Sequence, residues 1–252
     1  MARLALPQIT LCAATSVNVA ATIAAMQHSM ALCDFGAAVL LTDQVPDLVP
    51  EGIEIRPIER LTSAEAYSRF MLAGEMAQHV ATSHLLVVQW DGFVVSPAAW
   101  DADFLDFDYI GAIWPQFDDG AVVGNGGFSL RSKRLLEACK SLGLNDHPED
   151  VTICRTHRLR LQHEFGIRFA DPTTAARFSY ERSSRTGAEF GFHGVFNLPE
   201  ELGPDGFWQT YLALDDRRTL WPDFKALVWF IVRRKHGLRR ALRMVCDRLG
   251  EH

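Results

Sequence analysis

No Cys-x-x-Cys pair occurs in this chain, and its five cysteines, at 12, 33, 139, 154 and 246, are odd in number and widely scattered. That spacing argues against a zinc site or a disulfide framework and fits reduced thiols. No stretch approaches the ~18 continuous apolar residues of a membrane span. Low-complexity runs and internal repeats are missing, and no linker is long enough to divide the chain. Two familiar glycine signatures for nucleotides, G-x-G-x-x-G and the loop ending Gly-Lys-Ser/Thr, are also absent. What remains is 252 residues with 48% apolar content, enough to bury a sizeable core. The first thirty residues look superficially like a signal peptide. Pro7, Gln8, Thr10 and Asn18 interrupt the apolar stretch, so it reads better as strand, turn and helix, with a cytoplasmic location expected.

Charge is uneven. Residues 225–252 hold eight Lys/Arg against two Asp/Glu, whereas the rest hold seventeen against twenty-nine. The change of sign predicts a separate C-terminal basic helical segment, residues 221–252, after a main domain spanning 1–220. Its aromatic, apolar and basic residues suit either peripheral contact through 225–249 with the inner face of an anionic membrane, or a helix packed with a solvated basic face. Gly237 weakens the segment as one continuous helix. Nucleic acid is not an expected partner, because the remainder is acidic.

Residues 8–14, 37–42, 53–58 and 84–89 read as strands, alternating with helices after Thr15/Ser16 and Ser63. Strands of continuous apolar character between helices predict an α/β fold, a mainly parallel sheet flanked by helices. A short helix after Ser96-Pro97, strands at 108–114 and 128–130, and helices from Ser132 to Ser141 and from Pro148 to about Phe165 follow. A last strand falls at 167–170, and 173–204 is rich in loops. Ligands of such sheets bind beyond the carboxyl ends of the strands. Asp43 and Asp91 stand at two such ends.

Four motifs carry candidate chemistry. Gln89-Trp90-Asp91-Gly92 puts a carboxylate where a buried strand emerges, as a metal ligand or an ordinary Asp-Gly turn. Gly124-Asn125-Gly126-Gly127 reads as a hairpin turn, or as backbone coming close to a sugar ring with Arg131 near a diphosphate. Glu149 and Asp150 open a helix after Pro148, stabilised there by the helix dipole or acting as a base, and spacing does not choose between them. His193 lies between glycines and phenylalanines, a held imidazole suited to metal or phosphate.

Together with Asp108 to Ala112, Gly124 to Ser132, Phe169-Ala170, Phe178-Ser179 and Phe190 to Gly194, these phrases resemble a family of unknown function, glycosyltransferase-like proteins of bacteria and fungi. The likeness covers roughly residues 67–197. It implies a GT-A-like fold, Rossmann-like in its nucleotide half, and often a Mn²⁺ or Mg²⁺ ion held by Asp-x-Asp. Gln89 occupies the first aspartate position here, leaving Asp91, with His193 completing the metal site. By the same resemblance Asp150 is the preferred base and Glu149 the second choice.

The expected activity is inverting transfer of a sugar from a nucleotide-sugar donor to a hydroxyl of a glycan or lipid-linked acceptor. The donor would lie near Thr15, Asp43, Gln89, Asp91, Gly126, Gly127 and Arg131. The alternatives are a non-catalytic GT-A-like module binding nucleotide or glycan within an envelope-assembly complex, and a metal-dependent phosphohydrolase. The second normally clusters more carboxylates and histidines than this sequence offers.

Overall fold

The computed structural model describes residues 2–46, 48–185 and 187–250. They form two compact units, dividing between His193 and Gly194.

The first unit is built on β1 (Leu4–Ala14), α1 (Val19–Leu32), β2 (Cys33–Thr42), β3 (Glu54–Pro57), α2 (Ala64–Leu72), α3 (Glu75–Gln78) and β4 (His84–Val87). β5 (Tyr109–Ile110), β6 (Ser129–Ser132) and α4 (Lys133–Ser141) follow. Six strands make one sheet in the order β3-β2-β1-β4-β6-β5. β3, β2, β1 and β4 run parallel, and β6 is inserted antiparallel to both β4 and β5. The α/β architecture and mainly parallel sheet expected from the sequence are therefore present.

Residue alternation explains why the strands read as unbroken apolar runs. Leu11, Leu40 and Leu86 face one core cluster, while Cys12, Val39, Leu41, Leu85 and Val87 face a second. With both sheet faces covered, each side of the pleat needs apolar residues.

Capping was partly legible. Ser63 and Ser132 accept hydrogen bonds from Ala66 N and Leu135 N at the starts of α2 and α4. Thr15 and Ser16 do not cap α1, however. The residue before it is Asn18, in the left-handed region at φ 54°, while Ser16 Oγ accepts from Leu61 N at 2.8 Å.

Beyond α4 the expected helix from Pro148 to Phe165 breaks into α5 (Glu149–Val151), a π-helical turn at Thr152–Thr156 and α6 (Arg158–Phe165). His157 N reaches back five residues to Thr152 O, the wide turn that separates the pieces. The expected strand at 167–170 is reduced to a single bridge between Phe169 and Tyr109. Conversely, the region read as loop contains α7 (Pro172–Phe178), capped by Asp171, and two short parallel strands, β7 (Ser179–Tyr180) and β8 (Gly191–Phe192).

The second unit holds α8 (Leu198–Glu201), α9 (Gly203–Ala213), α10 (Phe224–Val232) and α11 (Gly237–Gly250). Its boundary precedes the expected one near residue 220 because α9 is tied to α11. Tyr211 donates to Asp247 at 2.7 Å, and Arg240 pairs with Asp205 at 2.6 Å. The basic segment is two helices. A side chain at Gly237 would collide with the carbonyls of Ile231 and Val232, so this tight reversal needs glycine.

Candidate functional site

A cavity of about 280 Å³ opens in the first unit where the chain leaves β4 and enters β6. Antiparallel pairing of Val87 with Ser129 brings these two chain segments together at the same sheet end. Gln89, Asn125, Gly126 and Gly127 line it from there. Tyr67 and Ser68 of α2, His147 to Asp150 before and within α5, and Glu181 and His193 beside β7 and β8 complete much of its wall.

At one part of the wall a buried ion pair supports the acidic motif. Arg131 on β6 is wholly buried. Its Nη2 donates to Glu149 Oε1 at 3.0 Å and to Gly126 O at 3.2 Å, and its Nε donates to Ser129 Oγ at 3.0 Å. Glu149 N in turn donates to Ser68 Oγ at 3.2 Å. The carboxylate of Glu149 is thus engaged inside the scaffold.

Asp150 is placed differently. Its Oδ2 accepts from Gly126 N at 3.1 Å and its Oδ1 from Val151 N at 2.8 Å. Burial, with the negative charge of Glu149 next door, pushes its carboxyl up to about 6. This is the range suited to a general base working near neutrality.

The other charged cluster centres on His193. Nε2 lies 3.2 Å from Gln89 Oε1 and 3.3 Å from Asp91 Oδ1, and Nδ1 lies 3.3 Å from Glu181 Oε1. Burial alone would lower the imidazole, but the charges of Asp91 and Glu181 outweigh it and lift it to about 10. Glu181 shows the converse: burial would raise its carboxyl, yet the bond from His193 holds it below the ordinary value. At neutral pH this arrangement is a cation between two carboxylates.

Asn125 joins the two clusters. Its Oδ1 accepts from Gly127 N at 3.0 Å and Phe128 N at 3.3 Å, and its Nδ2 stands 3.2 Å from His193 Nδ1. The two glycines that follow are required by close packing. A methyl at Gly126 would overlap Glu149 Oε1, and one at Gly127 would overlap the His193 ring. Their immediate partners are protein side chains, although both glycines also border the cavity.

Of the residues singled out in the sequence, Gln89, Gly126, Gly127, Glu149, Asp150 and His193 line this one cavity, with Asp91 against His193. Arg131, expected beside a diphosphate, instead turns inward because a buried guanidinium needs the carboxylate of Glu149. Thr15 and Asp43 directly follow β1 and β2 and are not part of the cavity wall. Thr15 Oγ1 bonds to Val17 O, and Asp43 lies 4.0 Å from Arg60 with its buried Oδ1 unbonded among the described residues. Glu181, Tyr67 and Ser68 were not singled out from sequence. Glu181 is two residues beyond the Phe178-Ser179 phrase, where parallel pairing of Tyr180 with Phe192 sets it beside His193.

The family described as "Protein of unknown function (DUF5672)" matches residues 52–193, more than half of the chain, and the chain belongs to that family. No curated protein matches it in sequence. Among solved structures, it is similar to a glycosyltransferase involved in the glycosylation of the major capsid of PBCV-1. That likeness has 13% identity and a TM-score of 0.46, covering 73% of this chain and 92% of the other. It is also similar to the mannosyltransferase PcManGT from Pyrobaculum calidifontis in complex with GDP-Man and Mn2+. Here identity is 10% and the TM-score 0.42, with 98% and 77% of the two chains covered.

Proposed function

We propose that this family member is a glycosyltransferase in which Asp150 deprotonates the acceptor hydroxyl. The observation that carries this reading is one cavity containing a carboxylate lifted to about 6 and a separate His193 cluster whose carboxylates, Asp91 and Glu181, suit a cation. Displacement of a nucleoside diphosphate by a hydroxyl needs both functions. A base must accept the acceptor proton, and a positive pole must offset charge on the departing diphosphate. A GT-A-like fold, with the donor at the carboxyl ends of the parallel strands and its base toward Thr15 and Asp43, accords with the strand order observed.

In the proposed step the acceptor oxygen attacks the anomeric carbon as its proton passes to an Asp150 carboxylate oxygen. The bond from that carbon to the diphosphate oxygen breaks, and the diphosphate leaves with the electron pair. A single displacement inverts the configuration. Glu149 and Arg131 hold the backbone of Gly126, whose N–H orients Asp150.

The donor chemistry is compatible with a divalent cation. Asp91 Oδ1 is buried, is matched by no regular hydrogen bond, and lies 3.3 Å from His193 Nε2 in an ion pair. Among the described residues no three His, Cys, Asp or Glu side chains form a ready metal cluster. Mg²⁺ or Mn²⁺ normally draws several ligands from water and substrate phosphates, however, so few protein donors are needed. Asp91 and deprotonated His193 would hold the ion, which would act as a Lewis acid toward the leaving diphosphate.

A panel of nucleotide sugars, with and without Mn²⁺, tests the proposal by thermal shift and by release of nucleoside diphosphate. A stabilising donor that is also slowly hydrolysed supports transfer. A donor that binds without any turnover, with or without acceptor glycans, would instead identify a non-catalytic binding module.

A further inference from the structure

The second unit presents a surface that the proposed chemistry leaves unexplained. On α11, Leu238, Leu242, Val245 and Leu249 are 71%, 65%, 38% and 69% exposed. They recur at i, i+4, i+7 and i+11 and therefore form one stripe. The stripe is separate from the face that packs, which carries the buried Ala241 and Met244. One helix thus has two apolar faces, only one of them covered within the unit.

Basic residues border the open face. Arg239 and Arg243 lie along its edge at helical spacing, and both are exposed. With Trp208, Leu212, His236 and Arg240 they surround an open depression of about 440 Å³. Arg240 is paired with Asp205 at 2.6 Å and Arg243 with Asp247 at 2.7 Å. Just before the helix, Arg233, Arg234 and Lys235 are exposed. Arg233 is stacked 3.3 Å above the ring centroid of Trp229, and Arg234 is 4.7 Å from that of Phe230. No helix among the described residues is long and apolar enough to cross a membrane.

We propose that α11 lies on an anionic lipid surface, its leucine stripe in the acyl boundary and Arg239 and Arg243 at the headgroup phosphates. An amphipathic helix with an apolar stripe and an arginine edge has the two features this mode of attachment uses. Charge complementarity selects lipid over a second copy of this chain. Pairing two identical stripes would draw the same arginine-rich edges together, whereas anionic headgroups neutralise them.

The test is co-sedimentation of the full chain with vesicles of phosphatidylcholine alone or with about a third phosphatidylglycerol. The chain should bind the anionic vesicles and not the neutral ones, less so at high salt. Replacing both Arg239→Gln and Arg243→Gln should weaken binding about 25-fold, roughly fivefold per arginine. Leu238→Asn with Leu242→Asn should weaken it at least tenfold, and both leucines are exposed, so circular dichroism should be unchanged. A second readout uses Cys246, the exposed cysteine on α11, whereas Cys12, Cys33, Cys139 and Cys154 are buried. An environment-sensitive fluorophore there should shift to the blue on anionic vesicles. Equal binding to both vesicle types, no effect of the leucine pair, or self-association without vesicle binding would each overturn the proposal.

Discussion

Two adjacent carboxylates should fail in opposite ways when each is made an amide. Glu149→Gln removes the anion from Arg131, which is wholly buried and 3.0 Å from it. Breaking one side of a buried pair costs about 3–5 kcal/mol, a large share of the ~5–15 kcal/mol that holds a domain together. This variant should show a much lower urea midpoint. Asp150→Asn leaves Arg131 paired. Its amide nitrogen must face either Gly126 N or Val151 N, a lost bond worth about 1–3 kcal/mol at most, less because the site is partly open. Its chemical effect should be greater. Loss of a general base lowers kcat about 10²–10⁴-fold, or ~2.7–5.4 kcal/mol of barrier.

Chemical denaturation, calorimetric donor binding and release of nucleoside diphosphate separate these effects. Asp150→Asn should fold, bind donor with similar affinity and turn over at least a hundredfold more slowly. If it retained activity within tenfold of the parent, Asp150 would not be the base. If Glu149→Gln were as stable as the parent and inactive, the two roles would be reversed.

Three further outcomes follow from the same geometry. With the Asp150 carboxyl at about 6, kcat/KM should fall as pH drops through 6, since the base must be deprotonated. Its stability contribution has the opposite sign: a raised folded value favours the fold below the unfolded value near ~3.9 and that benefit is lost as pH rises through 6. Asp150→Asn should remove both dependences, as a pH-rate profile and denaturation series would show. Gly127→Ala should displace the His193 ring and weaken donor binding while leaving the sheet folded, and an unchanged donor affinity would contradict that packing. Asp91→Asn should abolish any Mn²⁺-dependent gain in donor affinity, and calorimetry showing the same gain would remove Asp91 from that role.

The sheet was readable because its inner strands carry a physical signature. Three neighbouring parallel strands covered on both faces must be apolar at successive positions, and residues 11–14, 37–41 and 85–88 are. The ends of those strands then marked Asp91, and the helix start at Pro148 marked the acidic pair. β7 and β8 have two residues each, too few for any periodicity, and their pairing is what sets Glu181 beside His193. Arg131 misled for a related reason. A charged residue in a short strand normally implies solvent, whereas this one is buried by its ion pair with a carboxylate eighteen positions away. Local sequence does not report such pairing.

Asn125 offers a test of whether the site acts as one assembly. Its φ of 66° lies in the left-handed region, which Asn and Gly tolerate far better than other residues. Asn125→Gly therefore keeps the backbone accessible while removing the side chain that holds Gly127 N and Phe128 N and adjoins His193. Losing two partly or wholly buried acceptor contacts should cost about 2–3 kcal/mol. The larger consequence should be kinetic. Gly126 N, which orients Asp150, lies one residue from Asn125, and His193 lies against its amide. Loosening this turn should shift the base and the His193 cluster together, lowering kcat more than donor affinity. Asn125→Ala should add a strain of about 1 kcal/mol and lower stability further. If Asn125→Gly lost stability but kept the parental kcat, the two clusters would be independent, and a shared pocket alone would not make them one catalytic unit.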